Sequence, residues 1–156
     1  MRGASNRTRT RVERTPDGRR LVVSRRVSAP ATAAWDVLVS VADWPDWGPS
    51  VSGVRGVDGR IVAGDRGEVR VAGVWVPFGI ETCDDETRRW TWRVAGVPAT
   101  GHRVEPVGPD RCAVAFEVPV LAGPYAAVCA VALRRIERLA ERRARGRDWS
   151  RARQSE

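Results

Sequence analysis

The sequence predicts an α+β fold: a seven-stranded antiparallel curved sheet around a long C-terminal helix, with two short helices after strand one. Three observations predict it. Short runs of alternating apolar and charged residues, separated by turn residues, recur through the middle of the chain. A helical apolar stripe runs through residues 125–140. Only one strand and a short helical stretch precede the run of hairpins, so one sheet must bury the stripe of the last helix.

The elements follow in order. Residues 1–15 are polar and charged with a lone Val12, and read as a disordered basic tail. "GRRLVVSRRVS" (18–28) is the first strand, opened by a Pro-Asp-Gly turn. "SAPATAAWDVLVSV" switches period: Ala34, Trp35, Leu38 and Val41 fall on one helical face behind Pro30. Pro45 disfavours helix at Trp44 and ends it, and a second short helical turn follows. Strands are expected at 51–57, 66–71, 74–82, 89–94, 103–107 and 111–118, in an antiparallel meander. "GPYAAVCAVALRRIERLAERRAR" is the long helix. Tyr125, Val128, Cys129, Ala132, Leu133, Ile136, Leu139 and Ala140 lie on one side of it, and Arg134, Arg135, Glu137, Arg138, Glu141 and Arg142 on the other. The domain is expected to span 16–145, with 146–156 a second disordered basic tail.

Composition narrows the function classes. A chain of 156 residues is one ordinary domain. The net charge is +8, with every one of the 27 basic residues an arginine. Residues 16–141 are neutral in balance, so the excess sits in the two ends. That arrangement argues against a specific nucleic-acid surface on the domain itself. The longest uncharged run, 118–133, is too short for a membrane span and contains Pro119, Gly123 and Pro124. With no apolar leader, a soluble cytoplasmic protein is expected. Three cysteines without CxxC spacing and one histidine point to reduced structural thiols, with no metal and no cofactor.

Strand parity selects the inner face. In "RWTWRV" the arginines mark the outside, so Trp90 and Trp92 point inward. By the same rule Phe78, Ile80, His102, Val104, Cys112, Val114 and Phe116 face in, opposite Tyr125, Val128 and Cys129 of the long helix. The turn "DWPDWGPSV" (43–51) carries two tryptophans, an unusual cost for a turn. Trp47 is expected to cap the end of the sheet and Trp44 to seat the helix pair.

This ordered set resembles the polyketide cyclase/dehydrase and lipid-transport family of the SRPBCC (START-like) superfamily, whose fold is the helix-grip. The resemblance lies in "VSRRVSAPATAAWDVLVSVADWPDWGPSVSGV", "GHRVEP" and "GPYAAVCAVALRRIERLAE", and covers about residues 19–141. It implies an internal cavity for a hydrophobic or aromatic small molecule, polyketide- or lipid-like, of roughly 300–1,000 Å³. Trp47, Phe78, Ile80, Trp90, Trp92, His102, Val104, Phe116, Tyr125 and Cys129 are the candidate ligand-binding residues. The alternative is a cyclase/aromatase or dehydratase acting in the same cavity, with His102 as acid/base and Arg25 or Tyr125 assisting. The residues also allow His102 to be a hydrogen-bonded interior side chain.

Overall fold

The computed structural model describes residues 6–155. Its elements are β1 (Arg9–Thr15), β2 (Gly18–Val27), α1 (Ala31–Val39), α2 (Trp44–Trp47), β3 (Gly53–Arg55), β4 (Arg66–Val71), β5 (Val74–Asp84), β6 (Arg89–Val94), β7 (Val97–Gly108), β8 (Arg111–Pro119) and α3 (Ala126–Gln154). All strands join one open antiparallel sheet in the order β1-β2-β8-β7-β6-β5-β4-β3. The helix-grip architecture is present: the curved sheet wraps α3, and α1 and α2 close the far side of the core. Leu133 and Ile136 of α3 are fully buried in one core cluster with Val23, Val114 and the α1 residues Val37 and Leu38.

Two expectations are corrected. The sheet has eight strands, because residues 9–15, expected in a disordered tail, pair with β2 from Arg9↔Ser24 to Thr15↔Gly18. The alternation was present but polar: Arg9, Arg11 and Glu13 share the outer face, Thr10 and Val12 the inner one. A charged outermost strand protects the sheet edge and has little apolar signature. Residues 1–5, part of the same expectation, lie outside the described residues. At the other end α3 continues to Gln154 instead of yielding to a tail at Gly146. One glycine among arginines, alanines and glutamine lowers helix propensity locally without ending the helix.

Strand limits also shift. β7 starts at Val97 instead of 103, so the connection from β6 contracts to Ala95-Gly96. Both residues have positive φ, 52° and 75°, matching the tight turn at Ala72-Gly73 (49° and 79°). Between β6 and β7 the register slips from Thr91↔Gly101 to Arg93↔Pro98, so Trp92 faces two residues, Ala99 and Thr100. This bulge sits beside the largest apolar cavity of the site.

The outer sheet face carries one buried ion-pair network. Glu117, 1% exposed, receives Arg89 on both oxygens (2.7 and 3.1 Å) and Arg103 at 2.9 Å. Asp17 and Glu13 hold the far sides of those arginines. The two guanidiniums keep the Glu117 carboxyl below its ordinary value despite burial. The carboxylate crosses Gly101, where a Cβ would meet Glu117 Oε1 at 2.9 Å.

Candidate functional site

The inner face gathers the aromatic side chains that strand parity selected, but it packs them solidly. Trp90 is stacked between Trp44 (ring centroids 5.3 Å) and His102 (3.8 Å). Trp92 and Phe78 meet Trp44 at 5.4 and 5.6 Å. Trp47 packs edge-on to Phe116 at 5.7 Å. Both tryptophans of the turn anchor to α1: Trp44 Nε1 donates to the Leu38 carbonyl (2.9 Å) and Trp47 Nε1 to the Val37 carbonyl (3.2 Å). Trp44 thus does more than seat the helices, because it reaches across and stacks on the sheet.

What remains between sheet and α3 is a cleft of about 30 Å³, enough for a water molecule. Trp47, Trp90, Trp92, His102, Phe116, Tyr125 and Cys129 line it. Phe78, Ile80 and Val104 line neither this cleft nor the cavity described next. They are buried core residues.

The larger space is an apolar cavity of about 290 Å³ at one end of the sheet. Val69 and Val71 of β4, Trp92 and Val94 of β6, and Val118 of β8 form its walls, with Pro98, Ala99 and Thr100 of β7. Pro119 at the end of β8, Ala122 and Tyr125 before α3, and Ser50 and Val51 after α2 complete the lining. Among the described residues no charged side chain lines it. Trp92, Thr100, Ser50, Val51 and Tyr125 border both spaces, and the Ser50 hydroxyl lies 2.9 Å from the Tyr125 hydroxyl across the boundary. Of the residues selected from sequence, only Trp92 and Tyr125 line this cavity. The others that line it were overlooked because they are small, sit at strand ends, and surround a bulge that sequence alternation does not reveal.

His102 is 2% exposed, and its hydrogen bonds fix one tautomer. Nδ1 lies 3.4 Å from the Trp90 carbonyl, which only accepts, so Nδ1 carries the proton. Nε2 then accepts from the Thr100 hydroxyl at 2.9 Å, and that oxygen accepts from Trp92 Nε1 at 3.2 Å. Burial lowers the imidazole pKa to about 3. The ring is therefore neutral at physiological pH. Arg25, expected to reach the cavity or its mouth, is held instead by Glu137 of α3 (3.0 and 3.3 Å) and Thr8. Burial raises the thiols of Cys112 and Cys129 to about 12 and Cys83 to about 11, so none is a nucleophile at neutral pH. Among the described residues no cluster of His, Cys, Asp or Glu could hold a metal. The buried Trp90 Nε1 has no acceptor among the described residues.

The profile of the polyketide cyclase/dehydrase and lipid transport family matches residues 9–145. The chain belongs to that family. Similarity among solved structures is one of fold. The ZhuI aromatase/cyclase of a Streptomyces species is 16% identical with a TM-score of 0.60, over 88% of this chain and 96% of that one. The di-domain aromatase/cyclase StfQ of the steffimycin pathway is 15% identical with a TM-score of 0.64, over 82% of this chain and 47% of that one. XoxI from Bacillus cereus is 14% identical with a TM-score of 0.59, over 75% of this chain and 92% of that one. No curated protein matches the sequence. Within the polyketide cyclase/dehydrase and lipid transport family, the core of this member is filled by its own rings, and its free apolar space lies toward the sheet end.

Proposed function

We propose that this family member binds a hydrophobic or aromatic small molecule in the cavity bounded by Trp92, Tyr125 and the ends of β4, β6, β7 and β8. The observation that carries the reading is the uncharged lining of that space, about 290 Å³. Its size and polarity suit an apolar body with few polar groups. The Tyr125 and Ser50 hydroxyls and Thr100 offer the polar contacts at its inner edge.

The second reading is a cyclase or dehydratase acting on a polyketone in the same cavity. The family description and the fold likeness to aromatase/cyclases favour it. His102 suits it poorly, since a general acid or base works best with a pKa near the working pH. Burial holds that imidazole neutral behind Trp47 and Trp90.

Titration with polyketides, sterols, fatty acids and aromatic acids, followed by tryptophan emission, tests the binding reading. At least one class should change the emission, and Trp92→Phe should remove most of that response. A flat response to every class counts against it. Turnover of a polyketone by the wild-type chain, lost in His102→Gln with binding intact, would favour the second reading.

A further inference from the structure

The two ends of the sheet differ in character. At one end the β5–β6 turn reads Asp84-Asp85-Glu86 and the β7–β8 turn Pro109-Asp110. At the other, around the apolar cavity, the β4–β5 turn reads Val71-Ala72-Gly73-Val74. The β6–β7 turn repeats it as Val94-Ala95-Gly96-Val97, and the segment after β8 is Pro119-Val120-Leu121-Ala122. None of these twelve residues is charged, in a chain that is 29% charged. The rim is exposed: Val74 61%, Val97 63%, Val120 55% and Leu121 101%.

Turn chemistry alone does not account for this. The first central position of each hairpin turn has positive φ, where glycine, asparagine or aspartate is favoured, yet alanine occupies both. Alanine at positive φ and exposed valine stand where a polar residue would fit water and backbone better. Behind the tips stand arginines. Arg70 and Arg93 immediately precede the two repeats, and Arg14 and Arg19 pair across the β1–β2 hairpin at the same end. Arg93 is tied to Glu81, whereas Arg14, Arg19 and Arg70 have no carboxylate partner among the described residues.

We propose that this end of the domain seats on an anionic lipid bilayer. Val74, Val97, Val120 and Leu121 enter the boundary between headgroups and acyl chains, and the arginines meet the phosphates. The attachment is peripheral, since no helix among the described residues is long and apolar enough to cross a membrane. Charge argues against a second copy as the occupant. A two-fold pairing of these ends would bring the arginine collars together. The seating does not depend on the ligand reading, although it would set the cavity mouth at the acyl layer.

Co-flotation of the full chain with ligand-free vesicles tests it. Vesicles mixing phosphatidylcholine and phosphatidylglycerol should carry the protein better than phosphatidylcholine alone, with binding weakened by salt. Leu121→Asp with Val97→Asp should cut binding by about tenfold or more, with unchanged melting because both positions are exposed. Arg19→Glu with Arg70→Glu should abolish the preference for the anionic lipid. The remote pair Arg138→Glu and Arg145→Glu, on the solvent side of α3, should preserve most of the binding. Absence of vesicle binding overturns the proposal. So does loss through the α3 pair but not the tips, or a vesicle-free dimer dispersed by Leu121→Asp. Because no apolar ligand is present, a chain that floats but binds no small molecule retains this inference and loses the ligand reading.

Discussion

The indole of Trp44 lies parallel to that of Trp90, with planes 2° apart and ring centroids at 5.3 Å. One tryptophan comes from the turn after α1 and the other from the middle of the sheet. Their stack joins the helical layer to β6. Trp44→Ala removes a side chain that is 1% exposed, together with its bond to the Leu38 carbonyl. It should destabilise the domain by about 3–5 kcal/mol in denaturant unfolding. A loss under about 1 kcal/mol would show that the stack does not hold the layers together.

The Glu117 network supplies a coupled pair. Glu117→Gln leaves Arg89 and Arg103 without their shared buried carboxylate and should cost about 3 kcal/mol. Gly101→Ala places a methyl against the same carboxylate and should cost about 1–3 kcal/mol. The double variant should lose less than the sum, because both changes act on one contact. Strict additivity, measured by equilibrium unfolding, would separate the glycine from the network.

His102 makes a pH prediction. Its folded pKa of about 3 lies below the ordinary 6.5. Below that ordinary value the unfolded chain takes up a proton that the native chain refuses, so stability falls as pH drops from 6.5 toward 3. The loss is about 2 kcal/mol by pH 5. Glu117, also held low, adds its loss only as pH falls below its ordinary 4.5. His102→Gln should therefore flatten the stability profile between pH 7 and 5 while leaving the steeper acid limb. A variant with an unchanged slope in that interval would assign it to other groups.

Much of the fold was legible because burial imposes periodicity. Leu133 and Ile136 sit where the helical stripe puts them, and Trp90 and His102 share the face that parity gave them. Two kinds of feature were hidden. β1 is an edge strand whose outward residues are arginines and glutamate, so its alternation lacks hydrophobic contrast. The cavity lies beside a bulge opposite Trp92 and is walled by residues from the ends of four strands, both consequences of three-dimensional packing. The inner aromatics were rightly placed inside, but their mutual stacking fills the volume in which a ligand was expected.

The most direct test of the account compares one residue of each space. A fluorescent apolar probe is titrated into wild type, Val94→Trp and His102→Gln, with melting measured to confirm that each is folded. Val94 borders the large cavity, and His102 the narrow cleft. If the ligand occupies the large cavity, Val94→Trp weakens binding by about tenfold or more, a change of at least about 1.4 kcal/mol, while His102→Gln shifts it by less than about threefold. Unchanged affinity in Val94→Trp with a large loss in His102→Gln would contradict the account and place the ligand among the inner rings.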